Sequence, residues 1–355
     1  MSHSDLNGHA CRFFKRGVVL TSLLSRLGSP DSVVLRWHTP AQYRIFLKNT
    51  FIMQKPSSLV LGSLVGDALA LGPHWIYDQG AIAQALGAVE RLAAPLSSYH
   101  PGKKAGDFTH YGDQCLVLLQ SLRRHGGFSL VHFAQDWRFF WEMSGTKSYR
   151  DAATRQTLEQ LQQGLPLEKV ASASHDIAGA ARIAPLFVLE GLSPEERVAV
   201  ARAQTALTHG DEAVVETAEF FTRVVMALQA GSEIAAALAA VAARPWQAIP
   251  ASWFAAAQQS SVADVGDLDA LDAHGLSCHV ADAFPCVCHL LLRYPKSPAR
   301  ALSANAAAGG DSAARGLLLG LVHAASPGIS AFPAAWVAEL RSCELIDALR
   351  ADLET

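Results

Sequence analysis

Residues 57–71 read SSLVLGSLVGDALAL, a stretch in which polar residues are few and apolar residues recur close to the helical period. The recurring positions are Leu59, Val60, Leu64, Ala68 and Leu71. This spacing predicts an α-helix that is apolar over most of its surface and therefore buried among other helices.

The same pattern continues toward the C-terminus. Further helices are predicted over 113–124, 133–141, 151–163, 194–207, 212–228, 233–243, 280–293, 312–324 and 336–349. Ser193 followed by Pro194 is typical of a helix start. Alternating apolar and polar residues are scarce, so strands have little support. We therefore expect one compact, multi-helix, all-α domain over residues 53–355.

Composition excludes several classes of protein. The chain has 355 residues with 29 Lys+Arg and 32 Asp+Glu; half of its residues are hydrophobic and 17% are charged. Intrinsic disorder requires lower hydrophobicity and a larger net charge. The formal net charge of −3 offers no excess of cations for phosphates, so no nucleic-acid partner is expected.

Residues 1–52 differ in charge from the rest of the chain. They carry seven basic and two acidic residues, a net charge of +5, whereas the remaining residues carry −8. We interpret them as a basic N-terminal extension, with three alternatives left open: a disordered tail or translated sequence upstream of Met53, an organellar targeting segment, or a small packed element. No apolar run is long enough to predict a membrane span. The expected location is cytoplasmic, with organellar import through residues 1–52 as the alternative.

Polar residues concentrate at the predicted helix ends. The clusters are 66–67 with 74–78, 109–114, 172–182, 208–211 and 305–315. Free N–H groups at helix starts can bind anions, and carboxylates can converge there. Taken alone, Asp113 and Asp311 are equally well explained as helix caps.

Six motifs follow one another in a fixed order. They are 62–69 (GSLVGDAL), 111–114 (YGDQ), 179–186 (GAARIAPL), 206–211 (ALTHGD), 305–319 (NAAAGGDSAARGLLL) and 329–336 (ISAFPAAW). This succession resembles the ADP-ribosylglycohydrolase family. The resemblance implies a compact all-α fold and hydrolysis of an N- or O-glycosidic bond to ADP-ribose. It also implies two Mg²⁺ ions held by Thr-Asp-Asp-Thr and Gly-Gly-Asp-Thr-Asp-Thr motifs, whose oxygens suit a hard cation.

The sequence departs from those metal motifs. In YGDQ only Asp113 remains of the two family aspartates, and in the motif at 309–314 Asp311 and Ser312 remain while Ala313 replaces the second aspartate. Asp113, Asp311 and Ser312 are thus expected to hold at most one Mg²⁺, and a site without metal is left open. The family's catalytic Glu is also absent: Trp75 lies near its place, and the nearby titratable groups are His74 and Asp78.

These matches define a predicted site. We expect Asp113 and Asp311 to place a cation or the attacking water, and His74 or Asp78 to carry the proton. The predicted substrate-binding residues are His110, Tyr111, Gln114, Ser174, His175, His209 and Ser312. The partner would be ADP-ribose or an ADP-ribosylated small molecule or protein, with the oligomeric state left open. The alternative is a catalytically inactive relative that binds ADP-ribose or serves a structural role.

Other polar residues receive structural interpretations. Asp67 and Arg182 are expected to hold helices together, and Lys103 to be a solvated loop charge. The cysteines and histidines at 278–279 and 286–289 are interpreted as buried groups of an apolar helix rather than zinc ligands, since side chains at i and i+2 point to different faces of a helix.

Overall fold

The computed structural model describes residues 57–326 and 328–354, where the chain forms sixteen α-helices and three short 3-10 turns. Extended pairing within these residues is limited to two isolated bridges, Ser172 with His209 and Asp176 with His279. The all-α prediction is confirmed. The predicted extension over 1–52, with the alternative start at Met53, lies outside the described residues.

Most helices follow one another with short connections, whereas longer segments join α2 to α3 and α5 to α6. Their bounds are α1 Ser57–Leu71, α2 Gln79–Leu86, α3 His110–His125, α4 Leu130–Glu142, α5 Ala152–Gln162, α6 Ala178–Ala181, α7 Pro194–Ala206, α8 Glu212–Gln229, α9 Ile234–Ala242, α10 Ala251–Val262, α11 Asp267–His274, α12 Val280–Arg293, α13 Pro298–Ala308, α14 Ser312–Ala325, α15 Ala334–Ala338 and α16 Glu344–Glu354. In the described part of the chain, none of them combines the length and apolarity needed to cross a membrane.

The predicted helices agree with the structure for most of the chain. The predictions for 57–71 and 280–293 match α1 and α12 to the residue. Sequence periodicity did not find α2, α6, α10, α11 or α13. The prediction of one helix over 336–349 is wrong, because α15 ends at Ala338 and α16 starts at Glu344. Arg350 of α16 folds back and donates to the carbonyls of Val337, Ala338 and Leu340. These are acceptors that a continued helix would have used for its own backbone hydrogen bonds.

The start of α3 also differs from the prediction. Thr109 is its N-cap and accepts from the backbone N–H of Tyr111, so the helix begins at His110 and Asp113 lies within it. The interpretation of Asp113 as a helix cap is therefore wrong, and the polar cluster at 109–114 is the first turn of a helix rather than a loop. The cause is the hydroxyl of Thr109, which accepts the Tyr111 N–H and so starts the helix before the apolar run that begins at Cys115.

Helix α1 packs against α14 at backbone contact. A Cβ atom built on Gly66 would lie 1.9 Å from the carbonyl oxygen of Gly316, and one built on Gly320 would lie 1.9 Å from that of Gly62. Only glycine permits this approach. All residues of α1 except Ser58 are buried, and the contact forms the centre of the core.

Asp67 connects this core to the start of α3. Its carboxylate accepts from the Thr109 backbone N–H at 2.7 Å and from the Thr109 hydroxyl at 2.5 Å. Burial nevertheless raises the pKa of Asp67 to about 6, with the hydrogen bonds from Thr109 acting in the opposite direction. The structural role expected for Asp67 agrees with these contacts.

Candidate active site

The candidate site is formed where the loop after α1 meets the glycine turn before α14. Trp75 N–H donates to the Gly310 carbonyl at 2.8 Å, and Gly310 N–H donates to the Ile76 carbonyl at the same distance. Gly310 has φ +61°, and a Cβ there would lie 2.3 Å from the Leu276 carbonyl oxygen. The turn therefore requires glycine and fixes Asp311 immediately after it.

Trp75 adopts a backbone conformation that non-glycine residues rarely use. Its φ is +63°, and no other non-glycine residue in the described ranges has a positive φ. This conformation costs roughly 1–2 kcal/mol and persists where surrounding contacts impose it, often at functional sites. Here it directs the indole N–H to Asp311 Oδ2 at 2.9 Å, while the ring stacks on His74 at 4.4 Å between centroids.

Two buried carboxyl groups share one phenol hydroxyl. The Tyr111 hydroxyl lies 2.9 Å from Asp311 Oδ2 and 3.2 Å from Asp176 Oδ2, and Cys278 offers its sulfur within 4.8 Å of both carboxylates. Asp176 also accepts from the Ala178 N–H at 2.8 Å. Because a hydroxyl carries one proton, it can donate to only one of the two carboxylates, and the second contact requires a proton on a carboxyl group.

Burial makes this proton available. It raises the pKa of Asp176 well above its ordinary value, and the nearby charge of Asp311 adds to the effect. Burial also raises the pKa of Asp311, while the hydrogen bond from Trp75 opposes the rise. The two carboxyl groups titrate together, and the first proton binds to the one whose ionised form has the weaker hydrogen bonds. Asp176 is the better proton holder, and Asp311 the better carboxylate.

Asp113 lies in a different electrostatic environment. Its Oδ2 accepts from the Lys103 ammonium at 2.7 Å and from the Ser148 hydroxyl at 2.6 Å. Lys103 is therefore ion-paired, with a side chain only 14% exposed, and its interpretation as a solvated loop charge is wrong.

The contacts of Asp113 bear on the predicted magnesium site. The ammonium already balances the carboxylate, so a cation there would need to displace Lys103. Asp113 belongs to neither of the two groups of three converging potential ligands found in the described ranges, although Asp311 does. Asp311 Oδ1 and Ser312 Oγ are buried without a hydrogen-bond partner in the described part of the chain. Asp113 therefore does not fit a magnesium ligand in this arrangement, and the single-Mg²⁺ assignment stays a prediction.

Several predicted site residues surround the carboxyl pair: the predicted proton carrier His74 and three predicted substrate-binding residues. His110 and Tyr111 are buried neighbours whose ring centroids are 3.8 Å apart, and His74 lies 5.8 Å from the Tyr111 ring. Burial lowers the pKa of His74 well below its usual value, so its imidazole is neutral. Ser312 follows Asp311 directly and is also buried. These residues lie together in the structure, and the roles given to them stay predictions.

Two further predicted binding residues are held by structural contacts. Gln114 Oε1 accepts from the Trp137 indole at 2.9 Å and from Arg182 at 3.0 Å. His209 packs on Gly179, with its Nδ1 2.9 Å from the Thr208 hydroxyl, and burial lowers its pKa to about 3. The contacts of Arg182 agree with its expected structural role.

The remaining predicted residues lie nearer the surface. Asp78 is exposed and accepts from the Ala81 N–H as the N-cap of α2. His175 is exposed and its Nδ1 lies 2.7 Å from Asp211. Ser174 is half-buried and accepts from the Asp176 N–H at 3.2 Å. Ser174 thus contacts the backbone of Asp176, and His175 pairs with Asp211. Neither has a hydrogen bond to Asp311 among the described residues.

Sequence reasoning missed part of this site. Asp176 lies outside the predicted set of site residues, although it falls in the polar cluster at 172–182. Cys278 was interpreted as a buried structural thiol but is half-buried beside both carboxyls. No sequence signal pointed to the rings of Tyr99 and Tyr149, which lie 4.9 Å from Trp75 and 5.6 Å from each other; distant loops bring them together.

Comparison with known proteins agrees with this architecture. A solved structure described as an ADP-ribosylglycohydrolase-related protein complex superposes with a TM-score of 0.61 at 20% identity, covering 84% of this chain and 95% of that one. A search of curated protein sequences gives no match. The profile of the ADP-ribosylglycohydrolase family matches residues 54–355, so the chain belongs to the ADP-ribosylglycohydrolase family.

Proposed function

We propose that the protein hydrolyses a glycosidic bond in an ADP-ribosyl or related nucleotide-sugar substrate. Family membership supports glycohydrolase-like chemistry. The observation that carries the proposal is the pair of buried carboxyls, Asp176 and Asp311, bridged by the Tyr111 hydroxyl. Two carboxyl groups with different protonation are what glycosidic hydrolysis requires.

The contacts assign different roles to the two groups. Asp311 receives the indole N–H of Trp75 and the Tyr111 hydroxyl, and both stabilise its ionised form. Asp176 has one backbone donor and the weakly donating Cys278 thiol, and it faces the charge of Asp311. We therefore assign Asp311 as the carboxylate and Asp176 as the protonated acid.

The reaction then proceeds with a balanced exchange of protons. Asp176 donates its proton to the leaving nitrogen or oxygen as the glycosidic bond breaks, and the Asp311 carboxylate stabilises the positive charge that develops on the ribose. A water molecule adds to the anomeric carbon, and the Asp176 carboxylate accepts the proton that this water loses. The products are ADP-ribose, or the related sugar nucleotide, and the released group.

An aromatic surface beside the pair suits a planar group of the substrate. Trp75, Tyr99 and Tyr149 meet edge to face, with centroids 4.9–5.6 Å apart, and Tyr99 is 50% exposed. Rings so arranged can pack against a base or a guanidinium group. This placement supports a substrate whose scissile bond lies near a planar or cationic group.

One observation favours a second candidate, a non-catalytic ADP-ribose-binding protein. Lys103 neutralises Asp113 at 2.7 Å, where the family resemblance implies a metal ligand. A relative that has lost metal-dependent turnover could retain the pocket. This candidate predicts binding of ADP-ribose without cleavage of ADP-ribosyl substrates.

The test measures release of ADP-ribose from N- and O-linked ADP-ribosyl model substrates. Wild type is compared with Asp311→Asn and Asp176→Asn, and the matched control is Asp136→Asn on α4, whose carboxylate pairs with Arg124 and His125 rather than with the site. Turnover that both site variants abolish and the control retains supports the proposal. Calorimetry with ADP-ribose separates the second candidate, for which binding occurs without turnover. Full turnover in Asp311→Asn would contradict the assignment, and absence of both turnover and binding would contradict both candidates.

The same assay addresses the metal prediction. If Asp113, Asp311 and Ser312 hold one Mg²⁺, a chelator should lower the rate and added Mg²⁺ should restore it. In the arrangement proposed here, Asp113→Asn should change the rate much less than Asp311→Asn does, because Asp113 is already paired with Lys103. A loss of equal size in both variants would instead support the magnesium prediction.

A further inference from the structure

Three buried histidines from three different segments face one another beside the carboxyl pair. His74 follows α1, His100 lies in the loop before α3, and His110 is the first residue of α3; none is more than 2% exposed. One ring nitrogen from each lies within 4.8 Å of the other two. The closest measured pair is His100 Nε2 and His110 Nδ1, at 3.4 Å.

Hydrogen bonds satisfy only part of this cluster. Both ring nitrogens of His74 and Nδ1 of His100 are buried without a partner in the described part of the chain. The separation of 3.4 Å between His100 and His110 is longer than the usual range of about 2.7–3.2 Å for hydrogen bonds of N–H groups. Buried imidazoles normally have partners, so the cluster has unused ligand capacity.

The distances suit a metal ion instead. Two nitrogens that each lie about 2.0–2.1 Å from a tetrahedral ion are about 3.4 Å apart, which is the separation seen between His100 and His110. His74 supplies a third nitrogen close enough to join them after a small shift. Three imidazoles leave a fourth coordination position for water or a substrate atom.

An outer carboxylate supports the same interpretation. Asp151 Oδ2 lies 3.3 Å from His110 Nε2, the ring nitrogen that faces away from His100. Metal-binding histidines commonly donate their second N–H to a carboxylate, which fixes the tautomer and the ring orientation. Asp151 is itself fixed, because its Oδ1 accepts from the Thr154 N–H at 2.6 Å as the N-cap of α5.

We propose that His74, His100 and His110 bind one divalent transition-metal ion of the zinc type. Neutral imidazoles favour such ions, whereas Mg²⁺ prefers oxygen ligands. The site is therefore different in position and chemistry from a magnesium site at Asp113 or Asp311. The Trp75 ring lies 5.3 Å from the His100 and His110 rings and donates to Asp311, so the ion would be next to the proposed catalytic pair.

Co²⁺ is the probe of choice, since a four-coordinate Co²⁺ ion gives an intense visible absorption. The full-length protein, freed of metal by a chelator, is titrated with Co²⁺ without substrate. We expect the absorption to saturate at one equivalent, to be displaced by Zn²⁺ and to be unaffected by Mg²⁺. X-ray absorption of the Zn²⁺ form should show three nitrogen ligands at about 2.0–2.1 Å.

Variants localise the ion. His100→Gln and His110→Gln should abolish the one-equivalent signal, and Asp151→Asn should weaken the affinity by about 10- to 100-fold. The matched control is His323→Gln on α14: His323 is also buried with both ring nitrogens unpartnered in the described ranges, but it is not part of the cluster. This control should bind Co²⁺ as wild type does.

Several results would overturn the proposal. They are a wild-type protein with no one-equivalent signal, a signal that Mg²⁺ displaces, or undiminished binding in His100→Gln. The wild-type titration decides the matter even if a variant fails to fold. Because no substrate is present, the outcome is independent of hydrolysis: a protein that binds Co²⁺ but cleaves no ADP-ribosyl bond retains this site and loses only the proposed activity.

Discussion

Helix α1 and the candidate site beside it differ in how their buried polar atoms are satisfied. In α1 each polar side chain in the core has a partner: Ser63 donates to the Leu317 carbonyl at 3.0 Å, and Asp67 accepts twice from Thr109. At the site, both ring nitrogens of His74 and Oδ1 of Asp311 are buried without a partner in the described part of the chain.

The difference suggests that the helix contact contributes mainly to stability, whereas the site contributes mainly to activity. An unpartnered buried polar atom costs about 1–3 kcal/mol, so the site needs stabilisation from the surrounding packing in addition to the hydrogen bonds of Trp75, Tyr111 and Gly310. The close helix contact provides that packing, and it fixes both the loop that carries Trp75 and the turn that carries Asp311. Variants in the two regions should therefore change different measurements.

The largest effect is expected at the helix contact. In Gly66→Ala the new methyl group would lie 1.9 Å from the Gly316 carbonyl oxygen, so two backbones must separate. Overpacking costs about 1–3 kcal/mol when side chains can adjust and more when backbone must move. We expect a loss of about 4 kcal/mol or more, measured as the free energy of unfolding in urea.

The matched control for this variant is Gly266→Ala. Gly266 has φ −64°, and its added methyl would make ordinary contact with Asp269 at 3.4 Å. As an N-cap glycine replaced by alanine it should lose less than about 1 kcal/mol. Equal losses in the two variants would show that the close approach of α1 and α14 does not control stability.

At the site the expected loss is in rate. Asp311→Asn and Asp176→Asn should each lower kcat by about 100- to 10,000-fold, the range for loss of a general acid or a charge-stabilising group. Their free energy of unfolding should be unchanged or higher, since each removes a carboxyl whose ionised form is destabilised by burial. A variant that loses stability in parallel with activity would contradict the separation of the two regions.

The helices could be predicted from the sequence because their start signals and apolar periods lie within short stretches of the chain. The apolar period of α1 and the run Ser193-Pro194 with Glu196 specify helix and cap directly, and the capping box at α7 forms as the residues suggest. Helix α13 was missed because its small residues at 298–308 carry little periodic contrast. The spacing of Gly62 and Gly66, matched by Gly316 and Gly320, was a readable signal for a close helix pair that was not used.

The site was less predictable because it depends on contacts between distant segments. Asp311 and Tyr111 could be selected from their motifs. Asp176, however, lies 65 residues from Tyr111 in the sequence and meets it only through a tertiary contact. The pairing of Lys103 with Asp113 and the meeting of His100 with His74 likewise depend on how a loop folds. Residue type and spacing do not contain that information.

Asp67 joins the two regions, and its titration provides a pH-dependent test. Its pKa is raised from 3.8 to about 6 in the folded protein. Between these values the folded state retains a proton that the unfolded state has lost, so the contribution of Asp67 to the unfolding free energy falls as pH rises from about 4 to 6, by up to about 3 kcal/mol. Denaturant curves across this range should show a smaller fall in Asp67→Asn than in wild type. Parallel curves for the two proteins would contradict the raised pKa.

The smallest effect is expected from the indole N–H of Trp75. Trp75→Phe keeps an aromatic ring at the strained position but removes the donor that lies 2.9 Å from Asp311 Oδ2. A hydrogen bond to a charged group contributes about 1.5–3 kcal/mol, and the part that acts on the transition state should lower kcat by about tenfold while KM changes little. The matched control is Trp246→Phe, which removes an indole donor to the Val241 carbonyl at 3.0 Å and leaves the site untouched. If Trp75→Phe turned over at the wild-type rate, the tryptophan would serve only to hold the loop, and the ionisation of Asp311 would depend on Tyr111. If kcat fell in both variants, the effect would come from packing, because only one of the two indoles contacts the carboxyl pair.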